Sequence, residues 1–105
     1  MKKSEYLSKN APEAIRKSVN QFNTERCSNN IEGALINLRE DVFKAKSEYD
    51  NELVLIASGD SAAIQRASTA KVKLEVAERA LRIIEDIRKE LDTEVDEFGE
   101  DITKK

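Results

Sequence analysis

The residues of this sequence that could take part in catalysis are carboxylates and one thiol, because the chain contains no histidine. Without histidine, the usual general base near neutral pH and the Ser–His and Cys–His nucleophile pairs are missing. Adjacent carboxylates occur at Glu40-Asp41, Glu85-Asp86 and Asp96-Glu97. Neighbouring residues of a helix point about 100° apart, so such pairs do not converge on one substrate. We interpret them as solvated surface and expect no enzymatic activity.

The thiol belongs to Cys27, the only cysteine, which follows Arg26. A basic neighbour can activate a thiol, but a single cysteine between two helices is more often a small, half-buried apolar residue, which is the interpretation we adopt. One cysteine forms neither an internal disulfide nor a multi-cysteine zinc site. No Gly-rich loop precedes a phosphate-binding lysine. We therefore predict no catalytic residue, no cofactor and no metal ligand.

The composition favours helices. Charged residues make up 37% of the 105 residues and aromatic residues 5%, with only three Gly and one Pro. No segment approaches the roughly 20 apolar residues that a membrane span needs, and no apolar stretch follows Lys2 and Lys3 as in a secretory signal. A single cysteine suits a reducing compartment. We expect a cytoplasmic protein without a membrane partner.

Capping signals and apolar periodicity predict three helices. Asn10 followed by Glu13 is a capping-box pattern, which predicts a short helix over about 11–25. Such a helix is too short to be stable alone and needs a surface to dock on. Its apolar face is formed by Ile15, Val19 and Phe22.

Two long helices follow. The first, over about 29–58, begins at Asn29, and the second, over about 60–98, begins after Gly59, with Asp60 as its cap. Apolar residues at alternating spacings of three and four form one heptad-type row on each helix. The row of the first is Ile31, Leu35, Leu38, Val42, Ala45, Tyr49, Leu53 and Ile56, and that of the second is Ala67, Ala70, Leu74, Ala77, Leu81, Ile84, Arg88, Leu91, Val95 and Phe98.

The short loop at Gly59 predicts an all-α fold in which the two long helices form an antiparallel hairpin. In this coiled-coil hairpin, residue i faces approximately residue 118 − i, which places acidic residues of one helix near basic residues of the other. The expected pairs are Glu52 with Arg66, Glu48 with Lys71, and Glu40 with Arg79. We expect residues 1–105 to form a single domain, with 1–9 and 100–105 frayed or disordered. The first helix is expected to cover the end of the third.

Each long helix also carries apolar residues outside its row. Two paired helices have one mutual interface and cannot bury these residues, whose exposure is costly. The sequence therefore predicts association into an oligomeric helical bundle, with a homodimer as the expected state. The candidate oligomer face consists of Ile36, Phe43, Val54, Leu55, Val72, Val76, Ile83 and Ile87.

Charge is distributed in blocks. Residues 1–26 carry six basic and three acidic groups (+3), and residues 90–105 carry two and seven (−5). Negative charge at a helix C-terminus opposes the helix dipole. The acidic end is therefore a solubilising, frayed end, an end neutralised by the N-terminal helix, or a docking surface for a basic partner, for example as a mimic of nucleic acid. Its residues are Glu90, Asp92, Glu94, Asp96, Glu97, Glu100 and Asp101.

Basic residues of the third helix are interleaved with Glu75, Glu78, Glu85 and Asp86, and the net charge of −3 argues against binding to nucleic acid. Arg88 interrupts the apolar row, and we expect it to pair with Glu85 or Asp92; a buried, register-setting role is the alternative.

Two functional hypotheses follow. The first is a non-enzymatic protein–protein interaction protein acting as an oligomer, such as a small helical adaptor, a chaperone, or an inhibitor of the kind encoded by phages and other mobile elements. The second is an oligomeric module that sequesters a small anionic ligand, such as a nucleotide, where protomers meet. Its candidate anion-binding residues are Lys71, Arg82 and Arg88.

Overall fold

Four helices make up most of the chain that the structure describes. The structure is a computed structural model that describes residues 1–18 and 24–102, with side chains outside 16–27. The helices are α1 (Lys3–Lys9), α2 (Glu13–Ser18), α3 (Thr24–Ala57) and α4 (Ala63–Leu91). α3 and α4 pack against each other as a hairpin, which confirms the predicted all-α hairpin with a short N-terminal helix. Association into a bundle remains a prediction.

The N-terminal part differs from the predicted helix over 11–25. α1 occupies residues that were expected to be frayed, and α2 covers only Glu13–Ser18. Val19 and Phe22, two of the predicted docking residues, lie outside the described residues, and Ile15 is exposed. The predicted docking surface of this helix is therefore described only at Ile15.

α3 begins at Thr24 rather than near Asn29, so the predicted start of this helix is wrong. Ser28, Asn29 and Asn30 are only mildly unfavourable in a helix, at less than about 1 kcal/mol each. No Gly or Pro occurs between Thr24 and Glu32. A continuous helix keeps the backbone hydrogen bonds that a new N-terminus at Asn29 would lose.

The turn between the long helices forms as predicted. Gly59 has a φ of +97°, in the left-handed region that ends many helices. The amide of Asp60 donates to the carbonyl of Leu55 at 3.0 Å, and the Asp60 carboxylate accepts a hydrogen bond from the amide of Ala62 at 3.0 Å. Helix closure and the start of α4 thus use the residues expected for them.

α4 ends at Leu91, seven residues before the predicted end. The segment after it folds back on itself, with isolated antiparallel bridges from Val95 to Asp101 and from Glu94 to Lys2. The carboxylates after Leu91 oppose the helix dipole, and backbone pairing with the N-terminus replaces the helical hydrogen bonds. Gly99, the predicted helix stop, lies in this folded segment with a φ of +78°, and a Cβ atom there would be 2.7 Å from Cζ of Tyr6.

The chain forms two compact units. One is Ala34–Ile84, and the other combines Met1–Gly33 with Glu85–Lys105. The single-domain interpretation stays a prediction. In Ala34–Ile84 the fully buried residues are small apart from Leu35, which is 0% exposed. The others buried there are Ala45, Ala63, Ala67 and Ala70.

The predicted register is confirmed where an ion pair reports it. Nε of Arg66 lies 3.0 Å from Oε2 of Glu52, and the two residue numbers sum to 118. A second nitrogen of Arg66 lies 2.9 Å from the Asp60 carboxylate. The other two expected pairs, which involve Glu48 and Glu40, do not form within 4.0 Å in the described part of the chain.

Arg88 does not pair with Glu85 or Asp92 as we expected. Its Nη1 atom lies 2.8 Å from Oε1 of Glu32 on the opposite helix. The predicted register already places position 30 opposite Arg88, two residues from Glu32, but only partners on the same helix as Arg88 were expected. Both side chains are about half exposed, so the pair is a surface contact rather than a buried polar layer.

Candidate interaction surface

All eight residues of the predicted oligomer face are exposed in the single chain. Their exposed fractions run from 40% for Leu55 and Ile87 to 72% for Phe43. Neighbouring row residues such as Leu35 and Ala45 are buried. The periodicity therefore identified apolar residues that the chain leaves uncovered, but two residues of the predicted rows, Leu53 and Phe98, are also exposed, at 42% and 75%.

A shallow groove lies between α3 and α4 near the loop, and its lining residues lie on the same side of the hairpin. Its volume is about 380 Å³. The lining is mixed in charge, and Arg66 within it is already bound by Glu52. The lining residues are Glu48, Asn51, Glu52, Arg66, Thr69, Ala70 and Lys73.

Four exposed apolar residues of α4 lie beside the groove. Val76 and Ile83 follow Thr69 of the groove by seven and fourteen residues, and a seven-residue step turns a helix by only about 20° relative to its starting direction. Val72 precedes Val76 by four residues, and Ile87 follows Ile83 by four residues. We call Val72, Val76, Ile83 and Ile87 the α4 face.

Three exposed apolar residues of α3 form a second surface. Phe43 and Val54 lie about 160–180° around α3 from the buried Ala45, and Ile36 points within about 20° of them. We call these three residues the α3 face. Seven of the eight residues of the predicted oligomer face therefore form two surfaces, one on each helix, and each points away from the side on which its helix contacts the other. Leu55 belongs to neither surface. The apolar spacing alone does not show this division, because it contains no information on the side on which each helix meets its neighbour.

The acidic end is partly neutralised by the N-terminus. Nζ of Lys3 donates a hydrogen bond of 2.6 Å to Glu90, and Nζ of Lys2 lies 3.7 Å from Asp92. The terminal ammonium of Met1 lies 3.3 Å from Glu94. The structure thus supports the neutralised alternative for three of the seven carboxylates, although the cations come from residues 1–3 rather than from a helix over 11–25.

The backbone reinforces these ion pairs. The amide of Lys3 donates to the carbonyl of Thr93 at 2.8 Å, and the amide of Val95 donates to the carbonyl of Met1 at 2.8 Å. Val95 is 2% exposed. This pairing joins segments more than 90 residues apart in sequence, and the only sequence signal for it was the opposite charge of the two ends.

The remaining carboxylates of the acidic end serve different local roles. The Asp96 carboxylate accepts hydrogen bonds of 2.9 Å from the amides of Phe98 and Glu100, which shapes the turn. Glu97 and Glu100 are exposed, and Asp101 forms the bridge with Val95. Docking of a basic partner at this end stays a prediction. Fewer carboxylates are available for it than the sequence suggested, because three of them are paired with cations of residues 1–3.

The contact between Lys3 and Glu90 predicts a pH dependence. The hydrogen bond and charge of Lys3 hold the pKa of the Glu90 carboxyl below its ordinary value. A carboxyl whose pKa is lower in the folded state stabilises the fold above its unfolded pKa of about 4.3, and this contribution is lost as the pH falls through the folded pKa. We expect Lys3→Gln to raise the pKa of Glu90 and to make acid destabilisation shallower.

The measurement is an NMR titration of the Glu90 carboxyl, together with thermal unfolding between pH 7 and pH 2.5. Lys89→Gln is the matched control, because it removes one positive charge beside Glu90 without removing its hydrogen bond. An equal rise in the Glu90 pKa in both variants would show that general charge, rather than the contact with Lys3, lowers it.

The candidate anion-binding residues are not gathered by the single chain. Lys71 and Arg82 are exposed and stand eleven residues apart on α4, roughly 16 Å along its axis. Arg88 is paired with Glu32. A shared anion site would therefore need residues from another protomer, and no observation in the described residues favours one.

Further chemical features were sought in the described part of the chain. It contains no group of three or more His, Cys, Asp or Glu residues placed to hold a metal ion, and none of its helices is both long and apolar enough to cross a membrane. The Cys27 side chain lies outside the described residues. No protein-family model, curated protein or solved structure matches this chain.

Proposed function

We propose that this protein is a non-enzymatic interaction protein that works as a homo-oligomer and binds another protein, in the manner of a small adaptor, chaperone or inhibitor. The observation that carries the proposal is the exposure of all eight apolar residues of the α3 face, the α4 face and Leu55. Its single cysteine suits a reducing compartment, and we place the activity in the cytoplasm.

The exposed apolar surface is large relative to the core. Of the six buried hydrophobic residues among those described, four are alanines, which contribute little apolar area. Fully burying a Val, Leu, Ile or Phe side chain stabilises by about 1.5–3 kcal/mol. Covering eight such side chains that are about half exposed is thus worth roughly 6–12 kcal/mol, which is comparable with the total stability of a small domain.

Self-association and partner binding are the ways in which a dissolved protein covers such surface. The faces lie on different sides of the hairpin, so one contact cannot cover both. One face covered by a second copy leaves the other for a different protein. This division of surfaces is the physical basis for proposing an oligomer that also has a protein partner.

Self-association is tested by light scattering coupled to size-exclusion chromatography over a wide concentration range. We expect a mass above that of the 11.9 kDa chain and a thermal midpoint that rises with protein concentration, because association stabilises the folded state by mass action. A folded chain with the single-chain mass at every concentration, and a midpoint independent of concentration, would contradict self-association.

Partner binding is tested by comparing proteins captured by the wild type and by two variants. Phe43→Ser removes the most exposed residue of the α3 face, and Lys44→Ser changes an exposed neighbour. A genuine partner is retained by Lys44→Ser and lost with Phe43→Ser. Capture that is the same for all three chains counts against the α3 face as the binding surface.

A further inference from the structure

We propose that the α4 face binds the α4 face of a second copy, with the two helices antiparallel across a two-fold axis. The inference rests on the self-association proposed above, and it names the surface, the partner and the orientation. Three observations support it: the symmetry of the apolar spacing, the position of uncompensated charges beside it, and the unsuitability of the α3 face for the same contact.

The apolar spacing along α4 reads the same in both directions. Val76, Ala80, Ile83 and Ile87 are separated by four, three and four residues. Val76 is 64% exposed, Ile83 52% and Ile87 40%, and Ala80 is half-buried. An antiparallel second copy therefore places Val76 against the partner's Ile87 and Ala80 against the partner's Ile83. The two-fold axis repeats each contact, so every apolar residue of the set meets another.

Opposite charges flank this contact in the same register. Arg79 and Asp86 both lie at one edge of the apolar set, seven residues apart. An antiparallel pairing brings Arg79 beside the partner's Asp86, and the symmetry repeats the pair. In a parallel pairing the same edges of the two helices fall on opposite sides of the contact, so Arg79 would face the partner's apolar Ile84 and gain no ion pair. Charges beside a helix–helix contact select orientation in this way.

These charges are available for such a contact. Within the described residues, neither Arg79 nor Asp86 has an ion pair or a hydrogen bond through its side chain, and both are exposed. By contrast, Arg66 and Arg88 on the same helix are bound by carboxylates of their own chain.

The α3 face is unsuited to pairing with itself. Glu40 lies between Ile36 and Phe43, and Asp50 lies between Phe43 and Val54. An antiparallel copy that matches Ile36 with the partner's Val54 sets Glu40 against the partner's Asp50, and a parallel copy sets each carboxylate against itself. Like charges in contact are unfavourable in either orientation. The α3 face is thus left for a different protein.

The test exchanges the two charges in the full-length chain. Arg79→Glu and Asp86→Arg each place like charges together at two symmetric positions, so we expect the dimer dissociation constant to rise about tenfold in each single variant. The double variant Arg79→Glu with Asp86→Arg restores opposite charges and should return the dissociation constant to near the wild-type value. Analytical ultracentrifugation gives the constants, and circular dichroism checks that each chain remains helical.

Two substitutions of apolar residues test which face forms the dimer contact. Ile83→Ser should weaken the dimer, and Phe43→Ser, on the α3 face, should leave it unchanged. A dimer that dissociates with Phe43→Ser but not with Ile83→Ser overturns the proposed surface while leaving self-association intact. A double charge variant as weak as the single variants overturns the antiparallel register. A wild type that is monomeric at all concentrations overturns both this inference and the proposed self-association.

Discussion

Leu35→Ala is expected to destabilise the protein by about 3 kcal/mol, within the usual range of about 2–5 kcal/mol for truncating a buried leucine. Leu35 is 0% exposed and is the largest fully buried side chain among the described residues. The other buried residues of Ala34–Ile84 are alanines, which leave few large groups able to move into the vacated volume. For a domain of about 100 residues, such a loss lowers the thermal midpoint by about 12 °C or more.

The adjacent substitution Ile36→Ala is the matched control. Truncating Ile36 to alanine removes a similar side-chain volume, but Ile36 is 54% exposed. We therefore expect the free energy of unfolding to fall by less than about 1 kcal/mol. Chemical denaturation of both variants at one protein concentration gives the two free energies of unfolding. Equal losses would mean that Ile36 is buried in the associated protein, and a small loss at Leu35 would contradict its place in the core.

The hairpin was predictable because its signals are local and redundant. Leu35 and Ala45 belong to an apolar row whose three-and-four spacing can be recognised from the sequence of one helix alone. Gly59 supplied the left-handed position that the turn requires, and its φ of +97° agrees. The register followed from placing Glu52 near Arg66, and that pair forms at 3.0 Å.

The helix ends were less predictable because weak local preferences competed with longer-range contacts. Asn29 has the side chain of a helix cap, but capping contributes only about 1 kcal/mol, and α3 runs through it. The three-and-four spacing continued to Phe98 although α4 stops at Leu91. Beyond Leu91, Val95 is buried by backbone pairing with Met1, and the spacing pattern contains no information about a segment more than 90 residues away.

The sequence predicted which residues form the candidate interaction surface, but not that they form two separate surfaces. The exposure of Phe43 and Val76 follows from their positions outside the apolar rows. Assigning them to different surfaces needed the buried residues Ala45 and Ala67, which mark the side on which each helix contacts the other. Glu32 was missed as the partner of Arg88 because only acidic residues of the same helix were considered, although the predicted register places position 30 opposite Arg88.

Ala67→Leu is expected to destabilise the hairpin by about 2–3 kcal/mol. Ala67 is 6% exposed, and Ala63 and Ala70 before and after it on α4 are also buried. A row of small side chains lets two helices approach closely, so three extra carbon atoms at its centre must displace α3 or adopt a strained rotamer. Overpacking of this kind costs about 1–3 kcal/mol, and the rigid short turn at Gly59 gives the two helices little freedom to separate.

Ser68→Leu separates the effect of position from the effect of leucine. Ser68 is adjacent and exposed, and leucine has a better helix propensity than serine, so we expect a change within about 0.5 kcal/mol of zero. Denaturant unfolding of the two variants makes the comparison. If Ala67→Leu were neutral or stabilising, the helices would have to be farther apart near the loop than buried alanines allow.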